Sequence, residues 1–217
     1  QRRPSMLEAH QIDARFGRPA RLIAAVPGDD VELRILDLVG EQSMLRETVD
    51  RIQPLVPLDR VLVVTGQEHR DTVLGLVPGL PGDNVLIEPA ARGTAPCIGL
   101  AAVALLARDD EAIMAVFPAD HAIADAAGFR RAIAAAARVA EEGQLATLGI
   151  APDRPETGYG YIRRGDLLDT YDGRPVYHVQ CFTEKPDEAR AQTFVESGEY
   201  YWNGGIFIWQ AATILWE

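Results

Sequence analysis

Arg60-Val61-Leu62-Val63-Val64-Thr65-Gly66 is the stretch that decides the fold class. An unbroken run of β-branched and apolar residues that ends at Thr-Gly predicts a strand buried on both faces. Similar runs return at Asn84–Ile87 and Ala112–Phe117, and helical patterns lie between and after them, clearest at residues 94–107 and 129–142. Strands without alternation that are joined by helices predict a doubly wound, mostly parallel α/β sheet. Ligands of such sheets bind beyond the carboxyl ends of the strands.

The second helical pattern places Phe129, Ile133, Ala136 and Val139 or Ala140 on one face. We therefore expect this face to pack against the sheet.

The pattern of apolar and polar residues changes after Ile150. Strands with polar-apolar alternation are predicted at Tyr159–Ile162, Val176–Val179 and Gly205–Trp209, and one short helix is predicted at about Asp187–Glu196. We expect residues 21–150 and 151–217 to form two halves of one domain. The last residues before Glu217 begin a new helical pattern, so we expect the domain to be incomplete at this end.

Composition narrows the classes of function. The 217 residues carry a net charge of −11 and are 47% hydrophobic. A single globular domain is expected at this size, and so acidic a chain argues against a nucleic-acid partner. No apolar run approaches the ~18 residues of a membrane span, so no membrane partner is expected. Cys97 and Cys181 lie in apolar stretches, which favours buried thiols in a reducing cytoplasm over a disulfide.

Two segments follow predicted parallel strands. Phe117-Pro118-Ala119-Asp120-His121 brings a carboxylate to a strand end, where it can hold Mg²⁺ against a triphosphate. The alternative is that Asp120 only caps the following turn. Glu88-Pro89-Ala90-Ala91-Arg92-Gly93-Thr94-Ala95-Pro96 leads into an Ala-rich helix with Thr94 as the expected N-cap. The N–H groups of that helix start can bind an anion or a base edge, or the segment is a routine capped loop.

Three further segments lie in the second half. Thr157-Gly158-Tyr159-Gly160-Tyr161 would let the backbone approach a ligand, although a hairpin turn explains it too. A charged pair, Glu184-Lys185, ends the predicted strand in the segment Phe182-Thr183-Glu184-Lys185-Pro186. Such a pair usually lies at a solvent-exposed strand edge. Tyr201-Trp202-Asn203-Gly204-Gly205-Ile206-Phe207 suits sugar recognition by ring stacking and an amide, or it is a structural turn.

Taken in order, these five segments resemble the bacterial mannose-1-phosphate guanylyltransferases. That family carries Glu-Pro-x-x-Arg-Asn-Thr-Ala-Pro, Pro-x-Asp-His, Thr-Gly-Tyr-Gly-Tyr-Ile, Glu-Lys-Pro and Trp-Asn-Ser-Gly-Met-Phe, and the resemblance covers about Val39 to the C-terminus. Gly93 replaces the usual Asn, and Gly204-Gly205-Ile206 replaces Ser-Gly-Met. The resemblance implies a Rossmann-like nucleotide-diphospho-sugar transferase fold and one nucleotidyltransferase domain over residues 1–217.

For residues 21–150 the resemblance implies a nucleotide-binding half. Asp120 would hold the catalytic Mg²⁺. Glu88 would face the guanine together with the helix start at Thr94 and Ala95, and Arg92 would bind the nucleotide.

For residues 151–217 the resemblance implies a sugar-binding half. Gly158 and Gly160 would line the sugar pocket, and Glu184 and Asn203 would bond mannose hydroxyls. Lys185 would neutralise the sugar phosphate. The implied reaction converts GTP and mannose 1-phosphate into GDP-mannose and pyrophosphate, with Mg²⁺ as cofactor.

The N-terminal region departs from the family. There, a strand leads into Gly-Gly-x-Gly-x-Arg and a later Pro-Lys pair, which surround the triphosphate. Here the strand at Leu22–Val26 is followed by Pro27-Gly28-Asp29-Asp30, and Leu33 or Arg34 falls near the lysine position. Residues 1–20 match nothing in the family, and a second metal-binding Asp of the family lies beyond the end of this chain. We expect a domain incomplete at both ends and weak catalysis.

Three hypotheses follow from this pattern. The first is a guanylyltransferase domain with an altered phosphate loop. The second is a non-catalytic, nucleotide-sugar-binding regulatory subunit, and the third is a related sugar-1-phosphate nucleotidyltransferase with another base or sugar. A homodimer is an arrangement that the sequence leaves open.

Overall fold

A computed structural model describes residues 21–25, 42–90 and 92–216. The departures from the family at Pro27–Asp30 and at Leu33 or Arg34, and the unmatched residues 1–20, lie outside the described residues. No helix among the residues described is long and apolar enough to cross a membrane.

Along the described residues, strands and α-helices alternate as far as the fourth α-helix, and three strands then follow one another before the fifth. The strands are β1 (Arg21–Ala25), β2 (Val61–Thr65), β3 (Val85–Ile87), β4 (Ile113–Pro118), β5 (Ala146–Ile150), β6 (Tyr161–Tyr171), β7 (Arg174–Thr183) and β8 (Tyr200–Gln210). The α-helices are α1 (Met44–Ile52), α2 (Arg70–Leu76), α3 (Thr94–Leu106), α4 (Ala126–Glu141), α5 (Glu188–Ser197) and α6 (Ala211–Ile214).

The first of two compact units comprises the described residues up to Ala146 and those from Phe207 onward. Its strands are hydrogen-bonded in the order β3-β2-β1-β4, all parallel, and the end of β8 pairs antiparallel with β4. The predicted parallel sheet is therefore confirmed, with one antiparallel strand added.

The central strand β2 shows why the sequence folds in this way. Leu62 and Val64 pack into a buried cluster with α3, while Val61 and Val63 point to the opposite face and are also fully buried. Both faces of the sheet are covered, as a strand without alternation requires.

Helix α4 confirms its predicted face. Ile133, Ala136, Val139 and Ala140 are buried, and the ring of Phe129 meets that of Phe117 edge to face at 5.8 Å. The helix begins earlier than predicted, because the Asp125 carboxylate caps it by accepting from the amide of Gly128 at 2.7 Å.

The second unit, Thr147–Ile206, contains a long antiparallel hairpin formed by β6 and β7. Tyr171 pairs with Arg174, and the two residues between them, Asp172 and Gly173, have φ of 50° and 76°. Two consecutive positive φ angles form the mirror-image turn that matches the twist of a hairpin. The strand predicted at Val176–Val179 is thus only the middle of β7.

Two predictions for the second unit need adjustment. The strand predicted from Tyr159 begins at Tyr161, because Tyr159 and Gly160 belong to the preceding loop. Cys181 is exposed on β7 and not buried as expected, because the apolar run around it lies on a hairpin strand with a solvent-facing side. Cys97 is buried as expected. Both thiols are free. Helix α5 is confirmed, with Asp187 as its N-cap.

Candidate functional site

Asp120 lies at the carboxyl end of the parallel strands. It follows β4 by two residues, in a turn, and its side chain is 41% exposed. The Nε2 atom of His121 lies 3.9 Å from the Asp120 Oδ1 atom. The carboxylate that caps the next helix is that of Asp125, so helix capping does not account for Asp120.

A single exposed carboxylate at this edge fits one kind of metal site. No cluster of three or more His, Cys, Asp or Glu side chains that could hold a metal occurs within the described part of the chain. Mg²⁺ is commonly bound by one or two carboxylates together with substrate phosphates, so Asp120 fits a metal that arrives with a nucleotide.

Two arginines near this strand end were not singled out by the sequence patterns. Arg51, in the last turn of α1, donates from Nη2 to the carbonyl oxygen of His121 at 3.0 Å. Arg130 of α4 donates from Nη1 to the carbonyl oxygen of Arg51 at 2.8 Å. These contacts join residues 70 and 79 positions apart, and spacing alone gives no signal for them.

Glu88 stands directly after β3, next to the end of β2. Its main-chain amide donates to the carbonyl oxygen of Thr65 at 3.0 Å, and the residue is only 7% exposed. Burial raises the pKa of the Cys97 thiol to about 12, and the negative charge of Glu88 adds to that rise. The Glu88 carboxylate therefore lies close to Cys97 in the first turn of α3, and its contact with a base stays a prediction.

The start of α3 corrects one prediction. Gly93, not Thr94, is the N-cap residue, and it makes no side-chain capping hydrogen bond. Gly93 has φ 85° and ψ −173°, a backbone conformation that is essentially restricted to glycine. Thr94 is the first helical residue, and Arg92, Thr94 and Ala95 are exposed. The first N–H groups of α3 still have no intrahelical acceptor.

In the second unit, Gly160, Glu184 and Asn203 come together. The main-chain N–H of Asn203 donates to the carbonyl oxygen of Gly160 at 2.8 Å. A Cβ atom added to Gly160 would lie 2.9 Å from Glu184 Oε2 and 3.6 Å from the Cβ of Asn203. Three residues predicted to contact the sugar thus share one place, from the loop before β6, the end of β7 and the middle of β8.

Lys185 and Gly158 lie beside this group. Lys185 has φ 39°, a strained conformation for a non-glycine residue, and its Nζ atom lies 3.8 Å from Glu184 Oε1. Both side chains are exposed, which leaves them open to a ligand. The amide of Gly158 donates to Glu156 Oε1 at 3.1 Å, so Gly158 shapes the loop through Glu156.

The expectation that aromatic rings flanking Asn203 stack on a sugar is not supported for Trp202. Its ring is buried in a cluster with Tyr161 and Phe194, because alternate residues of β8 point to opposite faces. Tyr159 meets the Trp202 ring edge to face at 5.3 Å, and the Arg154 guanidinium lies 5.1 Å above it. Trp202 therefore supports the loop that carries the glycines.

Comparisons with known proteins agree with this geometry. A family model described as nucleotidyl transferase matches residues 31–217. The chain is 42% identical over 186 residues to a mannose-1-phosphate guanylyltransferase of Klebsiella pneumoniae, covering 85% of this chain and 39% of that protein. It is 39% identical to the alginate biosynthesis protein AlgA of Pseudomonas aeruginosa, with 85% and 38% covered. The chain therefore spans about two-fifths of the length of these curated relatives.

A solved structure supports the fold. A Thermus thermophilus protein described as a mannose-1-phosphate geranyltransferase superposes with a TM-score of 0.79 at 32% identity, covering 91% of this chain and 59% of that one. Together with the family match over residues 31–217, this establishes that the chain belongs to the nucleotidyl transferase family and is similar within it to the mannose-1-phosphate guanylyltransferases.

Proposed function

We propose that the protein transfers GMP from GTP to mannose 1-phosphate and so forms GDP-mannose and pyrophosphate. The observation that carries the proposal is the assembly of Gly160, Glu184 and Asn203 at one place. A carboxylate that accepts and an amide that both donates and accepts are suited to sugar hydroxyls.

The nucleotide would bind at the carboxyl ends of the parallel strands. Asp120 would hold Mg²⁺ there, and the ion, when bound, would neutralise charge on the phosphates. Glu88 would accept from the two adjacent donors of guanine, N1–H and N2–H₂, because an ionised carboxylate offers two acceptor oxygens. Arg92 and the exposed start of α3 at Thr94 and Ala95 would add donors to the nucleotide.

The sugar phosphate would bind in the second unit. Lys185 would offset its charge, and its strained backbone fits a side chain held for binding. A phosphate oxygen of mannose 1-phosphate would attack the α-phosphorus of GTP in line. The new P–O bond would form as the bond from the α-phosphorus to the bridging oxygen breaks, and pyrophosphate would leave with that oxygen. Positioning and charge neutralisation suffice for such chemistry.

A second candidate is a nucleotide-sugar-binding regulatory subunit without turnover. The sequence Pro27-Gly28-Asp29-Asp30 favours it, because two aspartates stand where relatives surround a polyanion with glycines and cations. We also propose a cytoplasmic location, which suits two free thiols, and a homodimer as the assembly to be tested by light scattering.

The test is an incubation of the full chain with α-labelled GTP, mannose 1-phosphate and Mg²⁺, with separation of the products. Label in GDP-mannose, and none when UTP, dTTP or ATP replaces GTP, supports the proposal. Binding of GDP-mannose without any product supports the regulatory subunit. Product with another base or with glucose 1-phosphate instead overturns the proposed specificity.

A further inference from the structure

Arg51 is a charged residue in a buried place. It lies in the last turn of α1 and is only 9% exposed. Burial lowers the pKa of its guanidinium, and Glu47, one turn earlier, opposes that change. The group nevertheless stays protonated, because arginine is not deprotonated in proteins. A buried charge lowers the stability of the folded protein unless it is hydrogen-bonded. The acceptor of the Arg51 hydrogen bond therefore indicates the role of this residue.

That partner is the main chain next to Asp120. Arg51 Nη2 donates to the carbonyl oxygen of His121 at 3.0 Å. A hydrogen bond from a charged donor is about twice as strong as a neutral one. It holds the peptide group between His121 and Ala122, one residue beyond Asp120, in one orientation and thereby restricts the backbone that carries the Asp120 carboxylate.

Arg51 is itself held in place by a second arginine. The last carbonyl groups of a helix lack intrahelical donors, and Arg130 Nη1 supplies one to the carbonyl oxygen of Arg51 at 2.8 Å. The loop from Ala119 to Asp125 is thus fixed by β4 at its start, by the Asp125 cap at its end and by Arg51 between them.

We propose that Arg51 is a positioning residue for Asp120, which acts by orienting the loop at residues 119–125 toward a metal-bound nucleotide. The proposal rests on the proposed function of Asp120. Arg51→Met leaves the His121 carbonyl without this donor, so some loss of stability is expected, but folding alone would not change the metal dependence of nucleotide binding. A loss of metal-dependent binding in a stable variant would therefore separate positioning from folding.

The experiment compares Arg51→Met and Arg51→Lys with Arg131→Met, a matched control at an exposed residue of the same helix as Arg130. Arg130→Met is the second variant, should Arg51→Met fail to fold. Two quantities are measured on each full-length protein. They are hydrogen exchange of the amides at 119–125, and the Mg²⁺ concentration that half-saturates GTP binding.

We expect Arg51→Met to speed exchange in this loop and to raise the half-saturating Mg²⁺ concentration about 10-fold, as for other residues that orient metal ligands. GTP binding without Mg²⁺ should stay the same, and Arg51→Lys should restore part of the effect. Unchanged loop exchange, or an equal loss of GTP affinity with and without Mg²⁺, would overturn the proposal. If the wild-type protein binds GTP independently of Mg²⁺, the proposed function of Asp120 fails, and loop exchange alone decides whether Arg51 orders the loop.

Discussion

The main-chain amide of Asn203 donates to the carbonyl oxygen of Gly160 at 2.8 Å, and this bond joins the loop before β6 to β8. A Cβ atom at residue 160 would lie 2.9 Å from the Oε2 atom of Glu184, so the end of that side chain would have to shift. Glycine at 160 therefore allows the Glu184 carboxylate to lie close to the main chain beside Asn203.

Gly160→Ala should weaken GDP-mannose binding about 10-fold or more, because the Glu184 carboxylate must move from the place where it would bond the sugar. Gly75→Ala is the control, since no atom lies within 4 Å of a Cβ at this exposed residue of α2, which belongs to the first unit. Titration calorimetry measures both. Equal affinities in the two variants would contradict the steric argument.

Glu88→Gln should reduce the preference for guanine. The amide keeps one acceptor and places a donor against a donor of guanine, which should cost about 1–3 kcal/mol of binding. The measurement compares GDP-mannose with UDP- and ADP-sugars on the wild type, on Glu88→Gln and on Glu188→Gln, an exposed control. A preference that survives in Glu88→Gln would move base selection to the backbone around Thr94 and Ala95.

Asp120→Asn should abolish Mg²⁺-dependent nucleotide binding while the protein stays folded, because the side chain is partly exposed and lies outside the core. Asp110→Asn is the control, because it makes the same chemical change at an exposed residue that precedes the amino end of β4. Calorimetry with and without Mg²⁺ and thermal unfolding provide the readouts. Equal Mg²⁺-dependent affinity in wild type and Asp120→Asn would remove Asp120 as a metal ligand.

Catalysis by this chain should be slow. Loss of one preorganised charge-stabilising donor costs about 10²–10³ in rate, and the chain lacks the glycines, arginine and lysine of the family motif. Pyrophosphate release with GTP, mannose 1-phosphate and Mg²⁺ measures turnover. A value near the ordinary ~10 s⁻¹ of enzymes would show that the acidic segment does not impair the phosphate site.

The sequence predicted best what depends on local pattern. The buried strands β2 and β4 follow from unbroken apolar runs, and the face of α4 follows from helical spacing. The turn Asp172-Gly173 is a hairpin signal in the sequence, and β6 and β7 extend to it from both sides, well beyond the predicted Tyr159–Ile162 and Val176–Val179.

Contacts between distant residues could not be predicted in this way. Thr94 has the chemistry of an N-cap, yet the positive φ of Gly93 starts the helix one residue earlier. The link from Arg51 to His121 depends on how α1 packs against α4 and the loop before it, and no local pattern contains that information. Motif order singled out Gly160, Glu184 and Asn203 as predicted sugar contacts, while only the fold shows that the three residues lie together.

The buried thiol of Cys97 gives a prediction about stability and pH. Burial, reinforced by the charge of Glu88, raises its pKa from 9.0 to about 12 in the folded protein. Between these values the folded state retains a proton that the unfolded state releases. Stability from this group is therefore complete below about pH 9 and is lost as the pH rises toward 12.

Cys97→Ala removes this titration, so the fall in unfolding free energy between pH 8 and pH 10.5 should be smaller in the variant by roughly 2 kcal/mol. Urea unfolding at both pH values measures it, and the comparison cancels the titration of tyrosines and lysines common to both proteins. Cys181→Ala, which removes the other, exposed thiol, is measured alongside as the control for loss of a cysteine. If wild type and Cys97→Ala lose the same free energy over this range, the folded state does not hold the Cys97 proton above its ordinary pKa, and the effect of burial on this thiol is overturned.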